Sequence, residues 1–445
     1  VNKSYFFVGI GGSGMMPLAQ IVAAQGASVA GSDRSLDQGR LGTKFEGLAA
    51  QGIALFAQDG SGIVSADQIV VASAAIEATV PDIVRATELG CARMTRAELL
   101  AELFNAAPVS IAVGGTSGKS TVTGMIGWIL DQAGRDPTIM NGAIMKNYGT
   151  GARVGGGDIF VSEVDESDGS IALYTPTVAV LNNVAVDHKS MEELRALFGG
   201  FLSRADKAVV NADNAEAMAL ATDALSFGLA SAADLRATDL VKRPDGVDFM
   251  VGETPVTLAV PGRHNVANAL AALGAVVSVG VPLADAAAAL ATFTGLKRRM
   301  DVVGTANDIT VIDDFGHNPD KIAATLSALH AFPGRLLVFF QPHGYGPLKQ
   351  MGRELAYAFR SNLAEGDRLI ISDPAYFGGT VDRTTGSESL VEAIGEQAEH
   401  IASREACGER LLALARPQDR IVVMGARDDS LSEFAAGLLD RLGSA

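Results

Sequence analysis

The stretch Val113-Gly114-Gly115-Thr116-Ser117-Gly118-Lys119-Ser120-Thr121 decides how this chain is read. It follows an apolar run at residues 109–113 and opens a segment of helical spacing through residue 133, with Gly134 as a C-cap signal. Gly118-Lys119-Ser120 is the end of a P-loop. In such a loop backbone N–H groups cradle phosphates, the lysine reaches β and γ oxygens, and the hydroxyl can ligate Mg²⁺. Val113 stands where the strict pattern has glycine, so the loop is a variant. Its strand–loop–helix setting still points to a nucleoside triphosphate.

Acids and a histidine follow at strand ends. Residues 160–163 read as a strand running into Glu163-Val164-Asp165-Glu166-Ser167-Asp168. A carboxylate placed there in a P-loop domain can hold Mg²⁺. Residues 178–181 lead into Asn182-Asn183-Val184-Ala185-Val186-Asp187-His188, and His188 is one of only six histidines. Sharing a domain with Ser120 and Glu163, it reads as a metal ligand. His317 and His343 also follow strands, and strand C-terminal ends are where open α/β sheets bind ligands.

Upstream lies a second glycine loop, Gly9-Ile10-Gly11-Gly12-Ser13-Gly14, between a strand at 5–8 and a helix at 15–24. Asp33 ends the next strand. Such a loop brings backbone and helix N-terminus close to a pyrophosphate, and alone it suits NAD, FAD, a UDP-sugar or a plain tight turn. A dehydrogenase reading leaves the second loop and its acids unexplained.

Strand-like and helix-like runs alternate along the chain, the rhythm of α/β domains with parallel sheets. Breaks near 106–108 and 295–301 divide it into 1–107, 108–298 and 299–445. The first and last are expected to be Rossmann-like, and the middle one a mixed-sheet P-loop domain. Later strands are expected at 310–312, 336–340, 369–371 and 421–424, and helices at 284–291, 320–330 and 348–363.

Composition narrows the class. Thirty-five basic residues against 51 acidic ones give a net charge of −16, which opposes binding nucleic acid or anionic membrane by bulk charge. Hydrophobic content of 48% with 19% charge excludes general disorder. Cys91 and Cys407 are too few for a disulfide framework. No stretch approaches a membrane span and no signal peptide precedes the first strand, so a cytoplasmic protein is expected, monomer or homodimer.

In this order the segments resemble the Mur ligases, ATP-dependent amide ligases of peptidoglycan synthesis. The resemblance rests on Gly9 to Gly14, Gly31-Ser32-Asp33, Val71-Ala72-Ser73-Ala74-Ala75-Ile76, Arg96-Ala97-Glu98, the P-loop, Glu163 to Asp168 and Asn183 to His188. It continues through Pro261-Gly262-Arg263-His264-Asn265-Val266-Ala267-Asn268-Ala269, Arg298-Arg299-Met300-Asp301, Asp313-Asp314-Phe315-Gly316-His317 with Pro319, and Gln341-Pro342-His343. The branch joining UDP-N-acetylmuramate to L-alanine is the most similar, with muropeptide recycling second.

The resemblance implies an acyl phosphate made from ATP and a carboxylate, then attacked by an amine. It implies ATP and Mg²⁺ (two ions, or Mn²⁺ in their place). Gly115, Thr116, Ser117, Gly118, Lys119, Ser120, Thr121, Asn268, Arg299 and Asp314 would bind ATP. Ser120, Glu163 and His188 would hold metal. Gly11, Gly12, Ser13, Gly14, Asp33 and Ser73 would bind the UDP-sugar. Lys119, His188, Arg299, His317 and His343 would be catalytic.

The chain departs from the family pattern mainly in the third domain. Asn318 replaces the second of two histidines, and Gly344 and Pro347 replace two arginines associated with the amino-acid site. Arg427 is gained, Ala185 stands for a glutamate and Ser117 for a histidine. Lys349 or Arg427 could bind an amino-acid carboxylate from a new direction, or the amine could differ. Asp373-Pro374-Ala375-Tyr376-Phe377-Gly378-Gly379-Thr380 is either an acceptor loop or a surface turn. A non-catalytic relative is the remaining alternative.

Overall fold

The computed structural model describes residues 3–444 apart from 13, 40, 41, 74, 75, 186–188, 222, 231, 376–385, 427 and 429. The chain divides into two compact units. One is Val1–Thr238 with Phe249–Val256 and Ala267–Phe293; the other is Asp239–Asp248, Thr257–Val266 and Thr294–Ala445. Three sheets, each layered with helices, make a three-domain α/β fold.

The first sheet holds β1 (Ser4–Val8), β2 (Ser28–Ser32), β3 (Ala54–Phe56), β4 (Gln68–Ala72) and β5 (Arg93–Thr95), in the order β3-β2-β1-β4-β5. All its pairs are parallel. Tyr5, Phe6, Phe7 and Val8 are buried on both faces, as a central parallel strand requires. The strand order reverses between β1 and β4, so the crevice at their C-terminal ends is a topological switch point. The loop after β1 and Ser73 after β4 sit there.

The second sheet has ten strands. Those in the first unit are β6 (Val109–Gly114), β7 (Thr138–Met145), β8 (Thr150–Arg153), β9 (Ile159–Glu163), β10 (Val178–Leu181), β11 (Lys207–Asn211) and β12 (Leu225–Gly228). Their order is β12-β11-β10-β6-β9-β7-β8. β7 and β8 are antiparallel, so the sheet is mixed. The chain then runs through β13 (Leu235–Arg243), β14 (Gly246–Val251) and β15 (Thr254–Leu258). The P-loop leaves β6 between β9 and β10. Register places Glu163 level with Val113, and Leu181 level with Gly114. Helix Lys119–Gln132 buries Val122, Met125, Ile126, Ile129 and Leu130, the spacing of one apolar stripe.

Helix Arg96–Asn105 ties the first two sheets together. Phe104 packs edge-on against Phe160 at 5.7 Å and Tyr174 at 5.1 Å, and one buried apolar cluster runs from Tyr5 to Ala217.

The third sheet comprises β16 (Asp301–Ala306), β17 (Ile309–Asp314), β18 (Leu336–Gln341), β19 (Arg368–Ile371), β20 (Ala398–His400) and β21 (Arg420–Gly425), in the order β16-β17-β21-β18-β19-β20. β16, which is not among the strands expected from the sequence, is antiparallel to β17. The cause of the reversal is Asn307-Asp308, both at positive φ (50° and 60°), residue types that tolerate a tight hairpin turn. Among the described residues no helix is long and apolar enough to cross a membrane.

Candidate functional site

The P-loop is braced from the neighbouring strand end. The Ser117 N–H donates to Asn183 Oδ1 at 2.8 Å, and the Thr116 N–H to the Asn183 carbonyl at 3.1 Å. The amides of Asn182 and Asn183 donate to the Ser117 carbonyl at 2.9 and 3.0 Å. Asn182 also donates to Asn268 at 3.0 Å, which puts Asn268 beneath the loop. Thr116 Oγ1 donates to the Ala185 carbonyl and accepts from its N–H, both at 3.0 Å. Gly118 has φ +85°, and a Cβ there would lie 2.3 Å from Asn182 Nδ2. Only glycine fits both the torsion and the space.

Lys119 and Ser120 begin the helix. Lys119 Nζ pairs with Glu166 Oε2 at 2.6 Å, the two side chains 18% and 9% exposed. Ser120 Oγ donates to Glu163 Oε2 at 2.7 Å. Asn141 Nδ2 holds the Ser120 carbonyl at 2.9 Å. Gly142 makes room for Glu163: a Cβ there would lie 1.9 Å from Oε1. A hydroxyl and a carboxylate held together at a phosphate loop are hard oxygen donors that fit Mg²⁺. Among the described residues no three His, Cys, Asp or Glu side chains cluster as a metal site. His188, the expected further ligand, lies outside the described residues, as does Ser13. Thr121 lies in the first turn of the helix.

Lys119, Asn141, Gly142 and Glu163 open onto a cavity of about 560 Å³ within the first unit. One end is lined by Gly9, Gly12, Gly14, Ser73 and Arg96, the other by Lys119, Asn141, Gly142, Glu163 and Asp165. The glycine loop and the P-loop, far apart in sequence, therefore face one space. Arg96 begins its helix directly after Thr95, which caps it in a reciprocal box with Glu98. Burial raises the Asp165 carboxyl, but hydrogen bonds from Ser167 and the charges of Lys119 and Arg96 bring it below its ordinary value.

The glycine loop departs from expectation. Asp33 accepts from the Gly11 N–H at 2.8 Å and from the Ser35 N–H at 2.7 Å. Its carboxylate therefore holds the loop and does not line the cavity. Gly9 and Ile10 N–H donate to the Ser32 carbonyl, Gly12 to Gly9, and Met15 and Met16 to Gly12. Gly11 is packed against Phe45 and Asp33, with no room for a Cβ.

In the second unit, Asp314 ends β17 and accepts from the Met300 and Gly316 N–H groups, both at 2.8 Å, and from Thr325 Oγ1 at 3.1 Å. The guanidinium of Arg299 stacks on Phe315 at 4.5 Å, with Arg298 over the same ring at 5.0 Å. His317 and His343 meet edge to face at 4.9 Å. His317 Nδ1 lies 2.8 Å from the Phe315 carbonyl; since a carbonyl only accepts, the proton sits on Nδ1 and Nε2 is left as an acceptor. Asn318 caps helix Pro319–Leu329 by accepting from the Lys321 N–H at 3.0 Å, a physical use for that departure. Gly344 adopts φ +147° before helix Tyr345–Asn362, in which Pro347 fills the first turn. Lys349 is an exposed residue of that helix; Arg427 and residues 376–380 lie outside the described residues.

Burial, with the nearby charge of Lys321, pushes the His317 imidazole down to about 3 from 6.5. The unfolded chain therefore binds a proton in this window that the folded chain does not. Stability from this group is complete above about pH 6.5 and is lost as pH falls toward 3, by up to about 1.4 kcal/mol per pH unit. Chemical denaturation at several pH values should show His317→Gln with a shallower acid decline than the unmodified protein.

In the sequence, Arg96 and Glu166 stand within motifs with no role attached, and Asn141 and Gly142 belong to no motif. The Thr95/Glu98 capping signature marks where Arg96 starts a helix. No local signal links Gly142 to Glu163, because β7 and β9 meet only in the folded sheet.

Comparison with known proteins agrees with this architecture. Family models described as "Mur ligase family, catalytic domain", "Mur ligase middle domain" and "Mur ligase, glutamate ligase domain" match residues 4–107, 113–276 and 298–427. A UDP-N-acetylmuramate–L-alanine ligase of Geotalea uraniireducens is 35% identical, with 94% of each chain covered. One from Acidithiobacillus ferrooxidans is 38% identical over 89% of this chain and 88% of its own. The solved UDP-N-acetylmuramate-alanine ligase of Thermotoga maritima shares the fold, with a TM-score of 0.80, 24% identity and 99% of each chain covered. On the identity and coverage of these relatives, the chain belongs to the Mur ligase family.

Proposed function

We propose that the protein is an ATP-dependent ligase of peptidoglycan precursor synthesis that joins L-alanine to the carboxylate of UDP-N-acetylmuramate. The observation that carries this reading is the cavity lined both by the glycine loop with Ser73 and by Lys119 with Glu163, to which Ser120 is hydrogen-bonded. A UDP-sugar bound at the first end would direct its carboxylate toward a γ-phosphate at the second. The relatives' names supply the donor and the amine. We assign residues 1–107 to the UDP-sugar, 108–298 to ATP and 299–445 to the amine and to closure over ATP, with the cytoplasm as the place of action.

Lys119 would leave Glu166 and neutralise the γ-phosphate. Ser120 and Glu163 would hold Mg²⁺, with His188 completing a second ion site. The metal supplies charge neutralisation of the transferring phosphoryl group. A carboxylate oxygen attacks the γ-phosphorus, the bond to the bridging oxygen breaks, and ADP leaves. The amine nitrogen then attacks the acyl carbon and phosphate departs, leaving an amide. Asn268, Arg299 and Asp314 would position the nucleotide, and His317 and His343 the amine. Positioning and preorganised charge are the main sources of rate in such a transfer.

A second reading, ligation of another amine, is favoured by Gly344 and Pro347, which offer an amino-acid carboxylate no guanidinium. Phosphate release with ATP, Mg²⁺ and UDP-N-acetylmuramate, measured for each amino acid and for short peptides, separates the two. L-Alanine is expected to give the highest kcat/KM, with a product mass equal to the two substrates less water. Turnover only with another amine would replace L-alanine; no release with any amine would overturn the ligase reading.

A further inference from the structure

The glycine loop has few donors left to offer a ligand. The N–H groups of Gly9, Ile10, Gly11, Gly12, Met15 and Met16 are all hydrogen-bonded within the protein, and Pro17 has none. Among the described residues of the loop, only the Gly14 N–H has no internal acceptor. The helix that follows, Met15–Ala24, has no side-chain cap and no acid in its first turn. A diphosphate at this end of the cavity would therefore gain from a cation carried by another element.

Two cations line the cavity. Lys119 is paired with Glu166 and belongs to the P-loop end. Arg96 is half-buried and makes no ion pair or hydrogen bond with the described residues. It lies over the glycine loop: a Cβ built on Gly14 would be 3.1 Å from Arg96 Cδ and 3.3 Å from Nη1. Its helix is fixed by the Thr95/Glu98 box and by Leu99, Leu100 and Phe104, all buried. The guanidinium is thus carried to the switch point on a rigid stem, with its planar set of N–H donors available.

We infer that Arg96 is the residue that binds the diphosphate of the UDP-sugar, with the Gly14 N–H, and that the other described residues of the glycine loop provide clearance and not hydrogen bonds. This inference rests on the UDP-sugar reading given above. Gly14 is then required because any side chain would displace the guanidinium. The arrangement selects a nucleoside diphosphate over a nucleoside, since Arg96 gains nothing from a ligand without phosphate.

The test is isothermal titration calorimetry of the full chain with uridine, UMP, UDP and UDP-N-acetylmuramate, for the unmodified protein, Arg96→Ala and Arg96→Lys. Loss of charge-assisted bonds should weaken UDP and UDP-N-acetylmuramate at least about tenfold in Arg96→Ala, with partial recovery in Arg96→Lys. Uridine and ATP affinities should stay within about twofold, which excludes a general folding defect. Equal UDP affinity in Arg96→Ala and the unmodified protein would overturn the role of Arg96 and leave the UDP-sugar reading intact. Equal losses for uridine and UDP would reduce Arg96 to a structural residue and overturn the inference. An unmodified protein that binds neither UDP nor UDP-N-acetylmuramate would remove the reading and the inference together.

Discussion

Lys119→Ala is expected to lower kcat/KM by at least about 10³-fold, because it removes the charge proposed to neutralise the transferring phosphoryl group. It should also cost stability of about 2–3 kcal/mol, since Glu166, with a side chain only 9% exposed, loses the partner now 2.6 Å away. Adding Glu166→Gln separates the two effects. The double variant should recover most of the lost stability, because a buried neutral amide is less costly than an unpaired carboxylate, while turnover stays absent. Denaturant midpoints and phosphate release on the two variants and the unmodified protein check this. Retained turnover in Lys119→Ala would remove the P-loop assignment.

Much of this site was legible in the sequence, because it is built from local signals. A strand, a glycine-containing turn and a helix are adjacent in the chain, so Gly115 to Thr121 could be placed on the fold from spacing alone. The same held for Glu163 and Asp314, each at the end of an apolar run. Asp33 reads from the sequence as a UDP-sugar ligand just after a strand; in the fold its carboxylate accepts from the Gly11 and Ser35 amides. Spacing locates a backbone position and does not say which way an acid's hydrogen bonds go. Strand β16 went unread because its residues are only partly buried and lack a clean alternation. Its signal was the turn chemistry of Asn307-Asp308. Gly142 was invisible for a topological reason, since its contact with Glu163 arises only when β7 pairs with β9.

Glu163 carries the second large effect. Glu163→Ala removes the carboxylate that accepts from Ser120 at 2.7 Å, and with it the hard oxygen ligand proposed for Mg²⁺. A loss of about 10²–10³-fold in kcat is expected, in keeping with the several kcal/mol that a metal contributes to charge stabilisation. Gly142→Ala tests the same feature without altering a ligand. Its methyl would occupy the place of Glu163 Oε1, 1.9 Å from the built Cβ, so the carboxylate must swing aside. The expected result is a rise of about tenfold or more in the Mg²⁺ concentration for half-maximal rate, in line with the cost of disturbing a ligand's support. The KM for the UDP-sugar should change little. Magnesium titrations of the steady-state rate check both variants, and an unchanged Mg²⁺ requirement in both would remove Glu163 from the metal site.

In the proposed reaction one cavity brings a substrate carboxylate to the γ-phosphate of ATP. Oxygen transfer tests it most directly. UDP-N-acetylmuramate labelled with ¹⁸O in its carboxylate would be turned over with ATP, Mg²⁺ and L-alanine, and the released phosphate analysed by mass spectrometry. An acyl phosphate requires one carboxylate oxygen to leave with each phosphate, so singly labelled phosphate is the predicted result. Phosphate carrying no label, alongside amide product, would contradict the account.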